Sequence, residues 1–304
     1  MSPKLLIAIV GPTAVGKTAV AIKLARKLST EIISADSRQF YREMQIGTAK
    51  LTTAELQQAK HHFINSLSVT EEYNVGRFEK EAVVVIEDIL RKHNVVIMAG
   101  GSGLFVNAVC NGFDSLPEGS NELREKYEDI LKQKGIEPIQ RELKECDPLY
   151  YETVDKNNPR RLIRALEVFH ETGRPYSEFR KKETVKRNFN FVKIGLNMDR
   201  EKLRERIDKR VDEMLAMGWL EECKRLLPFR NLNALNTVGY SELFDFIDGK
   251  ADWKTIVQNI KTNTWHYAKR QLTWFKKDKE IQWFEPTDET GILNCITFAL
   301  HQGK

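Results

Sequence analysis

Six apolar residues stand in an unbroken row from Leu5 to Val10, and such a run reads as a strand buried on both faces. The period then changes. Val20, Ile22, Leu24, Ala25 and Leu28 fall on one side of a helix predicted over residues 17–28. Residues 31–35 read as a second short strand ending at Asp36, residues 79–93 as a helix, and residues 95–99 as a third apolar strand running into Gly100-Gly101-Ser102-Gly103. Strand, helix, strand, helix, strand predicts the α/β class: a parallel sheet with helices on both faces.

Beyond Asn111 the pattern loses its strands. The stretch NGFDSLPEGSNE is rich in turn formers, and the chain from its end to about residue 188 is charged and helical. A strand returns over residues 188–198, one long amphipathic helix is expected over 200–227, and a last short strand over 281–284. The predicted organisation is therefore a core in two parts, residues 1–112 and 189–304, around an inserted helical subdomain over 113–188. His61 and His62 read as structural or surface residues near the end of a helix. No internal repeat and no low-complexity tract is present.

Composition narrows the class of protein. A chain of 304 residues, 41% hydrophobic and 30% charged, can bury a sizeable core without disulfides or metals, and its apolar runs are too short to span a bilayer. The first strand begins too close to residue 1 for a secretory signal, so the expected location is cytoplasmic. Cys110, Cys146, Cys223 and Cys295 are far apart with no C-x-x-C pair, as expected of reduced thiols. The net charge of +5 is modest but unevenly placed. Between Lys156 and Lys193 eleven basic residues face four acidic ones, a local excess that suits a polyanion.

The chemistry begins at Gly11-Pro12-Thr13-Ala14-Val15-Gly16-Lys17-Thr18, which fits the phosphate-binding loop G-x-x-x-x-G-K-[ST] and has a strand before it and a helix after it. Glycines let backbone amides turn inward, the helix presents its positive end, Lys17 adds a charge, and Thr18 offers a hydroxyl to Mg2+. The fold implied is a P-loop NTPase-like sheet. A kinase of this kind normally carries a strand ending in Asp that helps hold Mg2+, whereas residues 95–99 lead into Gly100-Gly101-Ser102 with no carboxylate. Asp36 has two readings. At the carboxyl end of a parallel strand it could take a proton or help hold Mg2+, or it could cap a helix starting at Ser37.

Further blocks occur in order: SADSRQFY, IGTAK, GGSGLF, NNPRRLIRALEV, RIDKRVDEMLAMGWLEE, TVGYSEL and YAKRQLTWF. Together with GPTAVGKT they resemble the motifs of the tRNA dimethylallyltransferase family, the tRNA isopentenyltransferases, over nearly the whole chain. The resemblance implies transfer of a dimethylallyl group from dimethylallyl diphosphate to N6 of adenosine 37, 3′ of the anticodon, in tRNAs that read codons beginning with U. N6-dimethylallyladenosine and diphosphate are the products, and Mg2+ is the cofactor. Asp36 is then the general base, Ser102 stands where the family usually has Thr, and Lys17 and Arg210 serve the departing diphosphate in the phosphate loop.

The tRNA contacts implied by the same likeness are Asp36, Ser37, Arg38 and Gln39, Ser102, Arg124, the segment Arg160, Arg161, Leu162, Ile163 and Arg164, then Gly239 and Tyr240, and finally Lys269, Arg270 and Gln271. The expected partners are the anticodon stem-loop of tRNA and dimethylallyl diphosphate, with no membrane and no obligate protein partner, the chain acting as a monomer. Independently of the likeness, Asn158 and Pro159 begin a helix well, and Arg160 and Arg164 share a face of it. The mixed aromatics and cations of residues 265–277 suit stacking and phosphate contact, although Trp274 and Phe275 also suit a core. Three positions depart from the family pattern: Ser102 for Thr, which predicts slightly looser positioning, Leu51 for Pro, and Trp265 for Arg. A P-loop small-molecule kinase, an adenylate isopentenyltransferase acting on free nucleotide, and a non-catalytic RNA-binding module are the alternatives.

Overall fold

The computed structural model describes residues 4–302 apart from 115, 118 and 181–184; Lys181 and Lys182 of the basic stretch lie outside the described residues. Strands β1 (Leu5–Val10), β2 (Ile32–Ser34), β3 (His61–His62), β4 (Val95–Gly100), β5 (Asn190–Leu196) and β6 (Ile281–Phe284) form one sheet in the order β3-β2-β4-β1-β5-β6, with every pairing parallel. The unbroken apolar run of β1 is explained by its central place. Leu6, Ala8 and Val10 enter one hydrophobic cluster while Leu5, Ile7 and Ile9 enter another on the opposite face.

The helices are α1 (Lys17–Leu28), α2 (Thr53–Leu56), α3 (Val75–Lys92), α4 (Gly103–Asn111), α5 (Asn121–Lys134), α6 (Glu137–Cys146), α7 (Pro148–Thr153), α8 (Pro159–Thr172), α9 (Tyr176–Phe179), α10 (Arg200–Ala216), α11 (Trp219–Leu226), α12 (Tyr240–Ile247), α13 (Trp253–Phe275) and α14 (Glu289–Gln302). Helices α3, α4 and α12 pack on the Leu6 side and α1 and α14 on the Leu5 side, giving the α/β sheet covered on both faces. The helix expected over 79–93 starts earlier because Asn74 caps it by accepting the Arg77 amide.

Two expectations are corrected. The single helix over 200–227 breaks into α10 and α11, because Gly218 takes the left-handed conformation at φ 95° between them. His61 and His62 form the edge strand β3, paired with Ile32 and Ile33, rather than a helix end.

The chain divides into two compact units, residues 1–111 with 186–304, and residues 112–185. The second holds α5 to α9 around its own core of Tyr127, Ile139, Leu143, Leu162 and Leu166. Within it Gly112 meets Val185 too closely for a Cβ to fit. Within the first unit, Arg187 donates from Nε to Val109 O at 2.9 Å and from an Nη to Ala108 O at 2.8 Å, and pairs with Glu79. The first unit's chain is thus tied across the point where the insertion interrupts it.

Candidate functional site

The phosphate loop leaves β1 at Gly11 and enters α1 at Lys17. Gly16, at φ 108°, supplies the left-handed turn into the helix. The first turn of α1 contains no acidic residue, so its positive end is left for an anion. Two distant side chains hold the loop. Gln271 accepts the Thr13 amide at 2.8 Å and donates to Gly101 O at 2.9 Å, bracing the loop against the turn after β4. Arg206 donates to Val15 O at 3.1 Å. The sequence reading missed Arg206, although it lies one helical turn before Arg210 on α10 and the i, i+4 spacing could have revealed it.

Lys17 folds onto the loop and donates to Gly11 O at 3.0 Å and Pro12 O at 2.7 Å. Burial lowers its pKa to about 8, the negative charge of Asp36 opposes that shift, and Arg210 reinforces it. Arg210 is also held below its usual value by burial, against the pull of Asp36 and Glu213. Each of the three groups therefore acts electrostatically on another. Two desolvated cations with one nearby carboxylate form a site suited to an added anion.

Asp36 lies just past the carboxyl end of β2, where open parallel sheets bind ligands. Residues 37–40 are turns, so no helix begins there, and Asp36 Oδ1 accepts the Arg38 amide at 3.1 Å to close a local turn. Ser102 follows β4. Its hydroxyl accepts the Ser37 amide at 3.1 Å and donates to Ser37 Oγ at 3.2 Å, bonds that fix the hydroxyl without the methyl of threonine. Tyr267 on α13 is 38% exposed as a residue, yet local desolvation, and after it the charge of Asp36, raise its hydroxyl pKa to about 12.

The nucleic-acid candidates separate into exposed and buried groups. Lys269 and Arg270 are exposed on α13 and share an open face with His266, Trp274 and Lys277. Trp274, open to a core reading from sequence, is 45% exposed, and it sits where a Cβ on Gly103 would strike it. Phe275 is in the core. Arg38 reaches Asn233 O at 2.9 Å. In the insertion Arg160 and Arg161 are exposed at the start of α8, where Asn158 caps the helix.

Other members of the expected contact set have packing or bonding partners within the protein. Leu162 and Ile163 are buried, and their side chains pack in the insertion core. Arg164 and Arg124 both bond the buried carboxylate of Glu167, and these bonds offset the cost of taking it out of water. Tyr240 is fully buried, and Gly239 lies where a Cβ would strike the Trp219 ring. Gln271 commits its amide to the brace between Thr13 and Gly101. Trp265 is buried, and the cations of Arg200, Arg204 and Lys269 lie 5.5, 5.6 and 5.8 Å from its ring centre. Leu51 packs against the core cluster on the α1 side of the sheet.

Residues 39–278 match the family model described as IPP transferase. The chain is 52% identical over 280 residues to a tRNA dimethylallyltransferase of Christiangramia forsetii, covering 92% of this chain and 93% of that protein. To that of Cytophaga hutchinsonii it is 46% identical, covering 98% of both. Among solved structures, the tRNA isopentenylpyrophosphate transferase of Bacillus halodurans superposes with a TM-score of 0.73 at 35% identity, covering 99% of this chain and 98% of the other. A eukaryotic dimethylallyltransferase acting on tRNA superposes with a TM-score of 0.78 at 31% identity, covering 94% of this chain and 75% of the other.

Proposed function

The chain belongs to the IPP transferase family and prenylates tRNA, and from that premise we propose that it moves a dimethylallyl group from dimethylallyl diphosphate to N6 of the adenosine 3′ of the anticodon. The observation that carries this reading is the meeting of Lys17, Arg210 and Asp36 at the carboxyl end of the sheet. In the reaction the bond from the allylic carbon to the diphosphate oxygen breaks and a bond from N6 to that carbon forms. The N6 proton passes to the Asp36 carboxylate, and the electron pair of the broken bond leaves with the diphosphate.

An exocyclic adenine amine is a poor nucleophile because its lone pair is delocalised into the ring. Removing its proton during attack assists it, which is the work of a general base at Asp36. Negative charge builds on the departing diphosphate, and donors already aimed at that position lower the barrier without reorganising. Lys17 and Arg210 are the cations beside that position, and Lys17 would exchange its bonds to Gly11 O and Pro12 O for the diphosphate. Ser102, bonded to Ser37 beside Asp36, is placed to orient the amine. The target base leaves its stack to reach the site, and the exposed ring of Trp274 next to Lys269, Arg270 and Lys277 suits the flanking nucleotides.

Among the described residues no group of three His, Cys, Asp or Glu is arranged to hold a metal ion. Thr18, in the first turn of α1, has the hydroxyl that would hold an Mg2+ accompanying the diphosphate. When bound it would neutralise charge on the leaving group.

The decisive assay supplies Mg2+ with labelled dimethylallyl diphosphate or labelled ATP, and either unmodified tRNA or AMP as acceptor. The expected result is label passing from the diphosphate into tRNA. Label in AMP alone, or transfer from ATP alone, would sink the reading in favour of a free-nucleotide prenyltransferase or a kinase.

The exposed and the paired arginines of α8 call for different experiments. Replacing Arg160 and Arg161 together with Ala should weaken tRNA affinity and reduce the slope of log K against log salt by about 1.5, as two lost phosphate contacts would. Arg164→Ala should instead lower the thermal midpoint, since it strips a partner from buried Glu167. An unchanged salt slope in the double variant would show that the start of α8 faces only solvent.

A further inference from the structure

Glu222 on α11 is 2% exposed, and its carboxylate takes four hydrogen bonds. Oε2 accepts the backbone amides of Gln45 at 2.9 Å and Ile46 at 2.8 Å, while Oε1 accepts the amide of Gly47 at 3.0 Å and the Tyr240 hydroxyl at 2.6 Å. Three successive amides turned onto one carboxylate is how backbone grips an anion. Here the anion belongs to the protein, and the bonds offset the cost of burying its charge. The fit allows no side chain at position 47, because a Cβ on Gly47 would strike both Trp219 and Tyr240.

The gripped turn carries the segment that follows Asp36. It closes on itself through Ala49 N to Ile46 O at 2.8 Å, and it presents Thr48 O and Ala49 O to the side-chain amide of Gln39 at 3.3 and 3.5 Å. Lys50, at its end, donates to Tyr41 O and to Asn65 Oδ1, both at 2.6 Å, while the Asn65 amide donates to Gln39 O at 3.2 Å. Gln39, only 9% exposed, is thus held at its side chain and its backbone by structure hung from Glu222. Asp36 is held mainly through the β4 side, and the Gln39 amide adds a bond to the Asp36 backbone O at 3.1 Å. The Ala35 amide donates to Ala99 O at 2.8 Å, the Ser102 amide to Ala35 O at 3.3 Å, and the Ser37 amide to Ser102 Oγ at 3.1 Å.

We propose that Glu222 is a positioning residue for RNA: by fixing the turn over residues 45–50 it sets Gln39, and so governs tRNA recognition more than the chemistry at Asp36, which keeps its bonds on the β4 side. The proposal rests on the reading of the Asp36–Gln39 segment as RNA-facing. In Glu222→Gln an amide N–H replaces one acceptor and confronts a backbone N–H. The KM for tRNA should rise about tenfold, the scale of one lost buried hydrogen bond to a charged group, while kcat and the KM for dimethylallyl diphosphate stay within about twofold.

The test is a double-mutant cycle with Gln39→Ala. If Glu222 acts through Gln39, then in the Gln39→Ala background Glu222→Gln should change the tRNA KM by less than about twofold. Additive effects, an equal rise in the diphosphate KM, or a fall in kcat alone would overturn the proposal. Should Glu222→Gln fail to fold, Glu222→Asp keeps the charge but is too short to reach all three amides, and it is read through the same cycle with the same outcomes. A tRNA KM unchanged by Gln39→Ala alone would sink the RNA-facing reading beneath the proposal. A raised KM with additive effects would sink the role of Glu222 only.

Discussion

Asp36→Ala should lower turnover on the order of 10² or more while the Kd for tRNA stays within a few-fold of the unaltered protein, the pattern of a lost general base. The structure supplies a cleaner variant. Asp36 Oδ1 accepts the Arg38 amide, and Asn at that position keeps an oxygen for this bond, so Asp36→Asn removes the basicity and spares the turn. Both variants should show the same loss in single-turnover assays at saturating tRNA. Near-normal turnover in Asp36→Asn would mean that Asp36 serves only to shape the turn.

Lys17→Met should cost about 10² to 10³ in turnover, the usual effect of deleting one preorganised donor to a developing negative charge. Its second signature is in pH. With its pKa lowered to about 8, chiefly by burial, Lys17 in the empty site is charged below that value and loses its proton as pH rises through it. The sign is the reverse of a stabilising ion pair. The folded protein carries the cost of a desolvated cation below pH 8 and is relieved of it above, and a bound diphosphate offsets that cost only where the lysine is charged. The affinity for dimethylallyl diphosphate without tRNA should therefore fall as pH rises past 8, with binding taking up a proton there, and Lys17→Met should abolish that proton uptake. Calorimetry in buffers of different ionisation enthalpy measures it directly. An affinity flat from pH 7 to 9 would show that the lysine is already settled by its loop carbonyls.

Local pattern was enough for much of this. The run from Leu5 to Val10 can be satisfied only by burial on both faces, and the loop after it has few other uses, so the sheet and the phosphate site were readable early. The family likeness then added Arg210, which the structure brings within electrostatic reach of Lys17. The features that stayed hidden depend on partners far along the chain. Nothing local to Gln271 reveals its bond to Thr13, 258 residues away. Arg164 looks like a free cation on a helix face, yet Glu167 one turn on is buried and claims it together with Arg124 of another helix. A single glycine inside an amphipathic pattern gave no warning that the helix breaks at Gly218, and two histidines are too short a run to announce an edge strand.

The tie made by Arg187 has a consequence for how the protein is built. Residues 112–185 interrupt a sheet whose strands β4 and β5 flank β1. An unfolded interruption of 74 residues, counting 112 through 185, would cost closure of the core about 4 kcal/mol of chain entropy. When the insertion folds on its own core, with Gly112 against Val185, its ends are already neighbours and most of that entropy is gone before the sheet forms. The insertion then serves the rest of the molecule as a clasp, and a short linker in its place should let the two core segments find each other as readily.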